Sequence, residues 1–219
     1  MKAKRIFSFF FSLIFMFSLA QNKKDSVKTS WKYEPNFLVG FDVLNAGLAV
    51  FTDRKLMQGF VSSKIKNDFY AIVDGGFESN VYQKNGYDAM ASGPFVRLGS
   101  LYMLAKDPEN EMNGFFIGAK AAASLYSQEY FAVPVRGYGD SDVYTAFPAS
   151  TQSSYWLEGA VGGRVQLFET PFYIEVTAQP KYLLYSTTQE KIKPMIVPGF
   201  GKSSAKFNMG FSWNIAYSF

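Results

Sequence analysis

The sequence predicts an all-β protein that folds as an antiparallel, up-and-down transmembrane β-barrel of about eight strands. Apolar and polar residues alternate with period two in segment after segment beyond residue 36. Aromatic residues make up 18% of the chain, which is more than ordinary core packing explains. An apolar leader precedes the alternating segments, and no later segment has a convincing helical period.

The leader has the features of a cleavable secretory signal peptide over residues 1–20. Lys2, Lys4 and Arg5 precede an apolar run that ends in small residues. The alternative is a membrane-anchoring helix, for which the run is short. Residues 21–36 are polar and predict a flexible periplasmic lead-in, so the barrel itself is expected to occupy residues 37–219.

Composition excludes several classes of function. The chain has 22 basic and 18 acidic residues, and removal of the three basic residues of the leader leaves 19 against 18. A nearly neutral mature chain has no electrostatic basis for binding nucleic acid. Cys and His are both absent from the sequence, which removes thiolate chemistry and the commonest metal ligand and general base. We therefore expect no catalytic residues, no metal site, no cofactor and no enzymatic activity.

Each alternating segment sets an apolar face against a polar one. In residues 172–181, Phe172 and Val176 lie on one face, while Glu175 and Thr177 lie on the other. Segments of this kind span residues 37–43, 57–66, 69–79, 94–104, 115–126, 155–168 and 207–219 as well. Many of them are long enough to cross a bilayer at a tilt, which predicts about eight strands.

The links between these segments alternate in length. Short links are expected at residues 67–68, 106–113 and 169–171, and longer ones around Asn85–Gly86, at 128–153 and at 187–204. A turn is expected at Pro198–Gly199 in the last of these. Outer-membrane barrels have short periplasmic turns and longer outer loops, so this pattern predicts the orientation of the chain. Gly75–Gly76 and Gly162–Gly163 are expected to be bulge or bend sites.

The last strand carries large apolar residues at every second position and ends on an aromatic residue. It resembles the C-terminal signal by which outer-membrane barrels are recognised for assembly. The residues that carry this likeness are Phe211, Trp213, Ile215, Tyr217 and Phe219. The resemblance implies outer-membrane lipid and the barrel assembly machinery as partners, and the outer membrane of a Gram-negative bacterium as the location.

A wider resemblance covers most of the mature chain. The elements LVGFDV, YQKNGYDAMASGPFVRLG, SSYWLEGAVGGRVQLF, YIEVTAQPKYLLYS and IVPGFGK are similar to those of an uncharacterised family of small bacterial outer-membrane-type barrels, a domain of unknown function. The family implies a fold and a location but no catalytic residues.

The inward face is expected to carry charges of both signs in similar number. These residues are Asp42, Lys64, Asp74, Arg97, Lys120, Glu158, Arg164, Glu175 and Lys181. One interpretation is that they pair and plug the lumen, since unpaired buried charges are costly. The alternative is a narrow conduction path or a pocket for one small ligand, which an eight-stranded barrel can also accommodate.

Aromatic residues are expected to form girdles at the two membrane interfaces. Those assigned to the periplasmic side are Phe69, Tyr70, Phe168, Phe172, Tyr173 and Trp213. Those assigned to the outer rim are Tyr126, Tyr130, Phe131, Tyr155, Tyr182 and Tyr185.

The sequence thus predicts a monomeric outer-membrane barrel with a structural or surface-interaction role. Residues 128–153 are expected to meet any extracellular partner. A small channel or transport protein is the main alternative, and a soluble, secreted lipocalin-like barrel is a third.

Overall fold

The chain folds as an eight-stranded antiparallel barrel, which confirms the predicted fold class. A computed structural model describes residues 36–137, 142–190 and 192–219. The elements are β1 Phe37–Asp42, α1 Val43–Phe51, β2 Lys55–Lys66, β3 Phe69–Lys84, β4 Tyr87–Lys106, β5 Gly114–Arg136, β6 Asp142–Gln166, β7 Phe172–Ser186, β8 Ile196–Val197, β9 Gly201–Lys202 and β10 Phe207–Ser218. The barrel runs in the order β1-β10-β7-β6-β5-β4-β3-β2, and β8 pairs with β9 apart from it.

The predicted signal peptide, residues 1–20, and residues 21–35 of the predicted lead-in lie outside the described residues.

The period-two pattern becomes an alternation between the interior of the barrel and its outer surface. In β7, Tyr173, Glu175 and Thr177 are buried, while Phe172 and Val176 on the other face are exposed. Successive side chains of a strand point to opposite faces, so the sequence pattern directly sets which residues line the lumen.

The barrel closes through a short first strand. β1 pairs with β10 from Leu38 to Asp42 and with β2 from Phe37 to Phe41. The strand predicted over residues 37–43 therefore ends one residue early, at Asp42. The expectation that no helix follows residue 36 is wrong, because α1 begins at Val43. Asp42 caps α1 by accepting a hydrogen bond from the Asn45 backbone amide, and the Leu- and Ala-rich segment after it favours a helix.

No helix in the described ranges has both the length and the apolar character needed to cross a membrane.

The two ends of the barrel differ. One end carries the connections at residues 67–68, 107–113 and 167–171 together with the C-terminus, where the Phe219 amide donates to the Phe37 carbonyl over 2.9 Å. We call it the turn end. The opposite end, which we call the outer end after the orientation that the sequence predicts, carries the end of α1, the β3–β4 turn, the last residues of β5, the first residues of β6, and residues 187–190 and 192–206.

Two of the predicted long links are wrong. The link around Asn85–Gly86 is a two-residue turn in which both residues have positive φ, 54° and 78°, as a tight hairpin requires. Residues 128–153 are not a loop, because β5 and β6 continue their pairing as far as Arg136 and Asp142. Tyr130 and Val133 are buried in a small apolar cluster that stabilises this extension.

The expected bulges at two glycine pairs are absent from the described ladders, which shift register elsewhere, for example between Lys64 and Lys66. One glycine of each pair, Gly76 and Gly162, instead permits close approach of strands. A Cβ on Gly76 would lie 2.4 Å from the Met57 carbonyl oxygen, and one on Gly162 would lie 2.5 Å from the Val176 carbonyl oxygen. The backbone can come this near only where there is no side chain.

Candidate functional site in the barrel interior

The interior contains a charged layer between two apolar ones. The apolar layer at the turn end consists of Leu38, Phe60, Tyr70, Ile72, Leu101, Met103, Met112, Phe116, Ala160, Tyr173 and Ala216. The apolar layer at the outer end consists of Leu56, Ala91, Phe95, Ala122, Tyr126, Trp156, Leu183, Ile196, Val197 and Phe200. The charged side chains lie between these two layers.

Arg97 is at the centre of the charged layer. Its Nη1 lies 3.0 Å from Glu158 Oε1 and 3.9 Å from Asp74 Oδ2, and its Nη2 donates to the side-chain oxygen of Gln58. Lys120 donates to the same Asp74 carboxylate. Strands β2, β3, β4, β5 and β6 are thereby tied together through side chains that cross the lumen.

Lys181 links this layer to the outer apolar layer. Its Nζ lies 3.7 Å from Glu158 Oε2 and donates to the Gly199 carbonyl oxygen over 2.7 Å. Glu158 therefore serves two cations, Arg97 and Lys181. Such shared pairing offsets part of the desolvation cost that each buried charge carries.

A second ion pair lies toward the turn end. Arg164 donates from Nε and Nη2 to Glu175 Oε2, over 2.9 and 2.6 Å. The guanidinium lies over two aromatic rings, 5.8 Å from the centre of Tyr70 and 5.7 Å from that of Phe116. Both rings face the cation, as expected for cation–π contacts.

Asp42 forms a separate polar cluster where β1 meets α1. Its carboxylate accepts from the Asn45 amide and side chain, from Gln58 Nε2 over 2.5 Å and from the Trp213 amide over 3.3 Å. Asp42 thus caps the helix and also occupies the edge of β10 where β1 ends.

Eight of the nine charges predicted to face the lumen are buried inside the barrel, in the central layer, the Arg164–Glu175 pair or the Asp42 cluster. Lys64 points inward but lies at the turn-end mouth, where its side chain is 27% exposed and its Nζ lies 2.5 Å from Glu111 Oε2. The prediction omitted Glu78, which is fully buried and pairs with Arg54 over 2.7 Å. The alternation of β3 could have identified it, since Asp74 and Glu78 are an even number of residues apart.

The loop between β7 and β10 folds into the outer end of the lumen. Residues 195–203, which we call the plug loop, form the small β8–β9 hairpin, and its turn at Pro198–Gly199 agrees with the turn expected there. Phe200 packs edge-on against Trp156 with 6.0 Å between ring centres. The Gly199 amide donates to Glu78 Oε2 over 2.8 Å. Sequence reasoning predicted this segment as an outer loop and did not foresee its insertion.

Little empty space remains in the middle of the lumen. The central cavity has a volume of about 20 Å³ and is lined by residues including Gln58, Asp74, Arg97, Lys120 and Glu175. A volume of this size holds about one water molecule. A larger cavity of about 300 Å³ lies in the outer half beside α1.

The outward-facing residues of β10 include those of the predicted assembly signal. Phe211, Trp213, Ile215, Tyr217 and Phe219 are all exposed on the outer surface.

Four residues assigned to the aromatic girdles lie inside the barrel instead. Tyr70, Tyr126, Tyr130 and Tyr173 are buried. The two-residue period gives the reason, since these tyrosines lie an even number of residues from inward-facing neighbours in their own strands. Phe69, Phe168, Phe172, Phe131, Tyr155, Tyr182, Tyr185 and Trp213 are exposed as the girdle prediction requires.

Within the described ranges, no group of three or more acidic side chains is arranged to hold a metal ion.

Comparison with known proteins identifies the family of this chain. No curated protein matches the chain. Among solved structures, the chain is similar to the N-terminal β-barrel domain of OprF from Pseudomonas aeruginosa, with a TM-score of 0.36 and 10% identity over 84% of this chain and 97% of that one. A family match covers residues 2–219, and the chain therefore belongs to the family described as "Domain of unknown function (DUF6048)".

Proposed function

We propose that this chain is an integral outer-membrane β-barrel with a sealed lumen and a structural or surface-interaction role. The observation that carries the proposal is the outer surface of the barrel. Outward-facing positions of the spans 37–41, 57–65, 69–79, 94–104, 115–127, 155–165, 172–184 and 207–217 contain no Asp, Glu, Lys or Arg, and most are large and apolar. A continuous apolar surface of this kind is unstable in water and suits hydrocarbon.

Backbone chemistry supports the same location. The bilayer core offers no water to hydrogen-bond an open strand edge, so strands cross it only in a closed barrel. Strand β10 pairs with β7 from Phe207 to Tyr217, which is close to the 9–11 residues that a tilted transmembrane strand needs. The proposal also includes targeting by a cleaved signal peptide and location in the outer membrane of a Gram-negative bacterium.

The final strand supports assembly by the barrel assembly machinery. Phe211, Trp213, Ile215, Tyr217 and Phe219 present one continuous apolar row to the outside. A machinery that recognises the strand from its lipid-facing side would meet all five residues together.

The interior supports a sealed barrel rather than a channel. The plug loop fills the outer mouth, the charges of the central layer pair with one another, and the central cavity holds about one water. The proposal therefore includes no catalytic role, no cofactor and no nucleic-acid partner.

The extended β5–β6 hairpin is the surface that we propose for an extracellular partner. The last pairing of β6 with β7 is Ser154 with Ser186, and β6 begins at Asp142, so the hairpin continues by roughly 40 Å of strand. Val135, Val143 and Tyr144 are exposed on it. Thr187 and Gln189 bond to β6 as far as Pro148, but residues 142–147 pair with β5 and with no other strand in the described ranges. The free edge of that segment can accept a partner's strand.

Reconstitution in vesicles tests the proposal. The chain should insert as a monomer, resist extraction by alkaline carbonate, and migrate faster on a gel before boiling than after it. Planar bilayers that contain it should show no discrete conductance steps. Steps in the wild-type protein would favour the channel alternative, and recovery in the aqueous phase after detergent phase separation would favour a soluble barrel.

A further inference from the structure

The wall of the barrel is interrupted in its outer half between β2 and β10. Strand β1 reaches only Asn214 on β10 and Gly59 on β2. The remainder of β10, residues 207–213, still pairs with β7 on its other side. Helix α1 fills the space between β2 and β10 in place of a continued strand and contacts both.

Helix α1 is held in the gap by a few side-chain bonds rather than by a ladder. Asn45 Nδ2 donates to the Phe211 carbonyl oxygen over 3.0 Å, and Lys55 Nζ donates to the Ala49 carbonyl oxygen over 2.6 Å. A helix and a strand edge cannot form the continuous pairing of two strands. Lateral passage beside α1 therefore breaks fewer hydrogen bonds than passage between two continuously paired strands would.

A polar cavity of about 300 Å³ lies directly behind the gap. Three cationic residues line it, Arg54, Lys181 and Lys202, together with side-chain amides and no carboxylate. The amides are those of Asn45, Gln58, Asn80, Gln179 and Asn208. A volume of this size lies at the small end of ligand-binding pockets.

The cations at this cavity are only partly neutralised. Arg54 pairs with Glu78 over 2.7 Å. Lys181 shares Glu158 with Arg97, which lies nearer to that carboxylate. Lys202 is exposed. Lysine, arginine and amide donors facing one cavity favour an anionic group such as a phosphate or a carboxylate.

An apolar groove lies on the other side of the same helix. Val43, Leu44, Gly47, Leu48 and Phe51 form one wall of it, and outward-facing residues of β7 and β10, namely Ile174, Trp213 and Ile215, form the other. Its volume is about 370 Å³. Leu48 and Phe51 remain exposed on the surface that we assign to lipid.

We propose that this lateral site binds a membrane lipid with an anionic headgroup, which enters between β2 and β10. The headgroup occupies the cavity with Lys181 and Lys202, and the acyl chain lies in the groove along α1. The inference rests on the proposed membrane location, since that location brings lipid to the groove. A polar cavity and an apolar groove on opposite sides of one helix match the two halves of an amphiphile.

Native mass spectrometry of the full-length mature protein, refolded in detergent, tests the inference. The probes are lysophosphatidylglycerol, which is anionic, and lysophosphatidylcholine, which is zwitterionic, with the same acyl chain. The wild type should retain one molecule of the anionic lipid and release the zwitterionic one. Lys181→Met should weaken retention by about tenfold and the exposed Lys202→Gln by about threefold, because each removes one charge-assisted contact.

Lys66→Gln is the matched control, since this exposed lysine lies at the turn end of β2, away from the cavity. Equal retention of both lipids, or unchanged retention in Lys202→Gln, would overturn the inference. The inference would also be overturned if inorganic phosphate displaced the lipid and bound as tightly as the lipid does. The site would then be one for a free anion. Vesicle insertion is scored separately, so a protein that binds the anionic lipid in detergent without inserting contradicts only the membrane proposal.

Discussion

Arg97 Nη1 lies 3.0 Å from Glu158 Oε1 in the middle of the barrel, and the two side chains are only 2% and 0% exposed. The guanidinium also lies 4.7 Å from the centre of the Phe95 ring, close to the plug loop. The Arg97–Glu158 pair thus lies where the charged layer meets the outer apolar layer. Removing either partner leaves the other buried charge with only a more distant ion partner, Lys181 at 3.7 Å from Glu158 or Asp74 at 3.9 Å from Arg97.

Arg97→Met should destabilise the barrel and loosen its seal. The change keeps an unbranched, apolar stem but leaves Glu158 and Asp74 with one cation fewer. We expect a loss of about 3–5 kcal/mol in the free energy of unfolding, measured by urea titration in vesicles. Lys66→Met removes an exposed charge and should have little effect. Equal stability of Arg97→Met and wild type would contradict the view that the charged layer stabilises the barrel.

The Arg164–Glu175 pair should show strong coupling in a double-mutant cycle. Each single change, Arg164→Met or Glu175→Leu, leaves one buried charge alone and should cost about 3–5 kcal/mol. The double variant should be more stable than either single one, because an apolar pair next to Tyr70 and Phe116 leaves neither charge unpaired. Thermal unfolding in detergent provides the four values, and additive losses would show that the two side chains act independently.

Gly199→Ala should expel the plug loop from the lumen. Gly199 has φ of +80°, and a Cβ there would lie 2.5 Å from the Phe95 ring. Both strain and collision oppose the inserted position. In a background with Trp156 as its one tryptophan, emission should shift to the red and quenching by acrylamide should rise, because Phe200 no longer covers the indole.

Gly47→Ala is the control for this substitution, since a Cβ at that position meets nothing within 4 Å. The expelled loop should also let planar bilayers conduct. A Gly199→Ala barrel with unchanged emission and no conductance would argue against the loop as the seal.

The turn end should respond to acid through Glu111. The hydrogen bond from Lys64 and the charge of that lysine lower the pKa of the Glu111 carboxyl. A lowered pKa means that the contribution to stability is present above the pKa of the unfolded chain and is lost as pH falls through the folded value. Because Glu111 is largely exposed, the effect on stability should be small.

Carboxyl carbon shifts measured by NMR during a pH titration follow Glu111 directly. Lys64→Met should raise its pKa toward the ordinary value. Lys202→Gln, at the outer end, should leave the Glu111 titration unchanged. A Glu111 midpoint that does not move in Lys64→Met would show that the pair is not formed in solution.

The sequence is sufficient to predict the barrel and much of its charged layer. In a strand, alternate residues face opposite sides, so a two-residue period shows which residues face the interior and which face outward. Glu158, Arg164 and Glu175 could be assigned inward from their own strands alone. The girdle prediction is wrong for Tyr70 and Tyr126, because both lie at inward-facing positions of the alternation in their own strands. The two-residue alternation is a better guide to which face of a strand a tyrosine occupies than the high aromatic content is to whether it lies at a membrane interface.

The plug loop and helix α1 could not be read from local pattern. Val197 and Phe200 are buried by contacts with strands far away in the chain, such as the one that carries Trp156. The nine residues of α1 are few for a detectable helical period, and their apolar character also fits a strand. Helix α1 packs into the gap between β2 and β10, and the plug loop packs into the outer mouth of the lumen. Both places exist only after the barrel has closed.

Asp42 should control whether α1 stays in the wall. Its Oδ1 accepts from the backbone amides of Asn45 and Trp213, and its Oδ2 accepts from the side-chain amides of Asn45 and Gln58. Asp42→Asn keeps an acceptor for the helix cap but turns the second oxygen into a donor facing two donors. Asp42→Ala removes all four bonds and leaves buried amides unpaired, at about 1–3 kcal/mol for each group left unsatisfied.

Hydrogen exchange distinguishes a local role for Asp42 from a global one. In Asp42→Ala, the amides of Asn45 and Trp213 should exchange faster by at least about tenfold, the equivalent of ~1.4 kcal/mol, while the β5–β6 ladder keeps its protection. Asp42→Asn should lie between this variant and the wild type. Thr52→Ala is a matched control, because the Thr52 hydroxyl bonds to the exposed end of α1 rather than to β10. If exchange rises uniformly through all strands, Asp42 holds the whole barrel closed, and α1 cannot open as a separate unit.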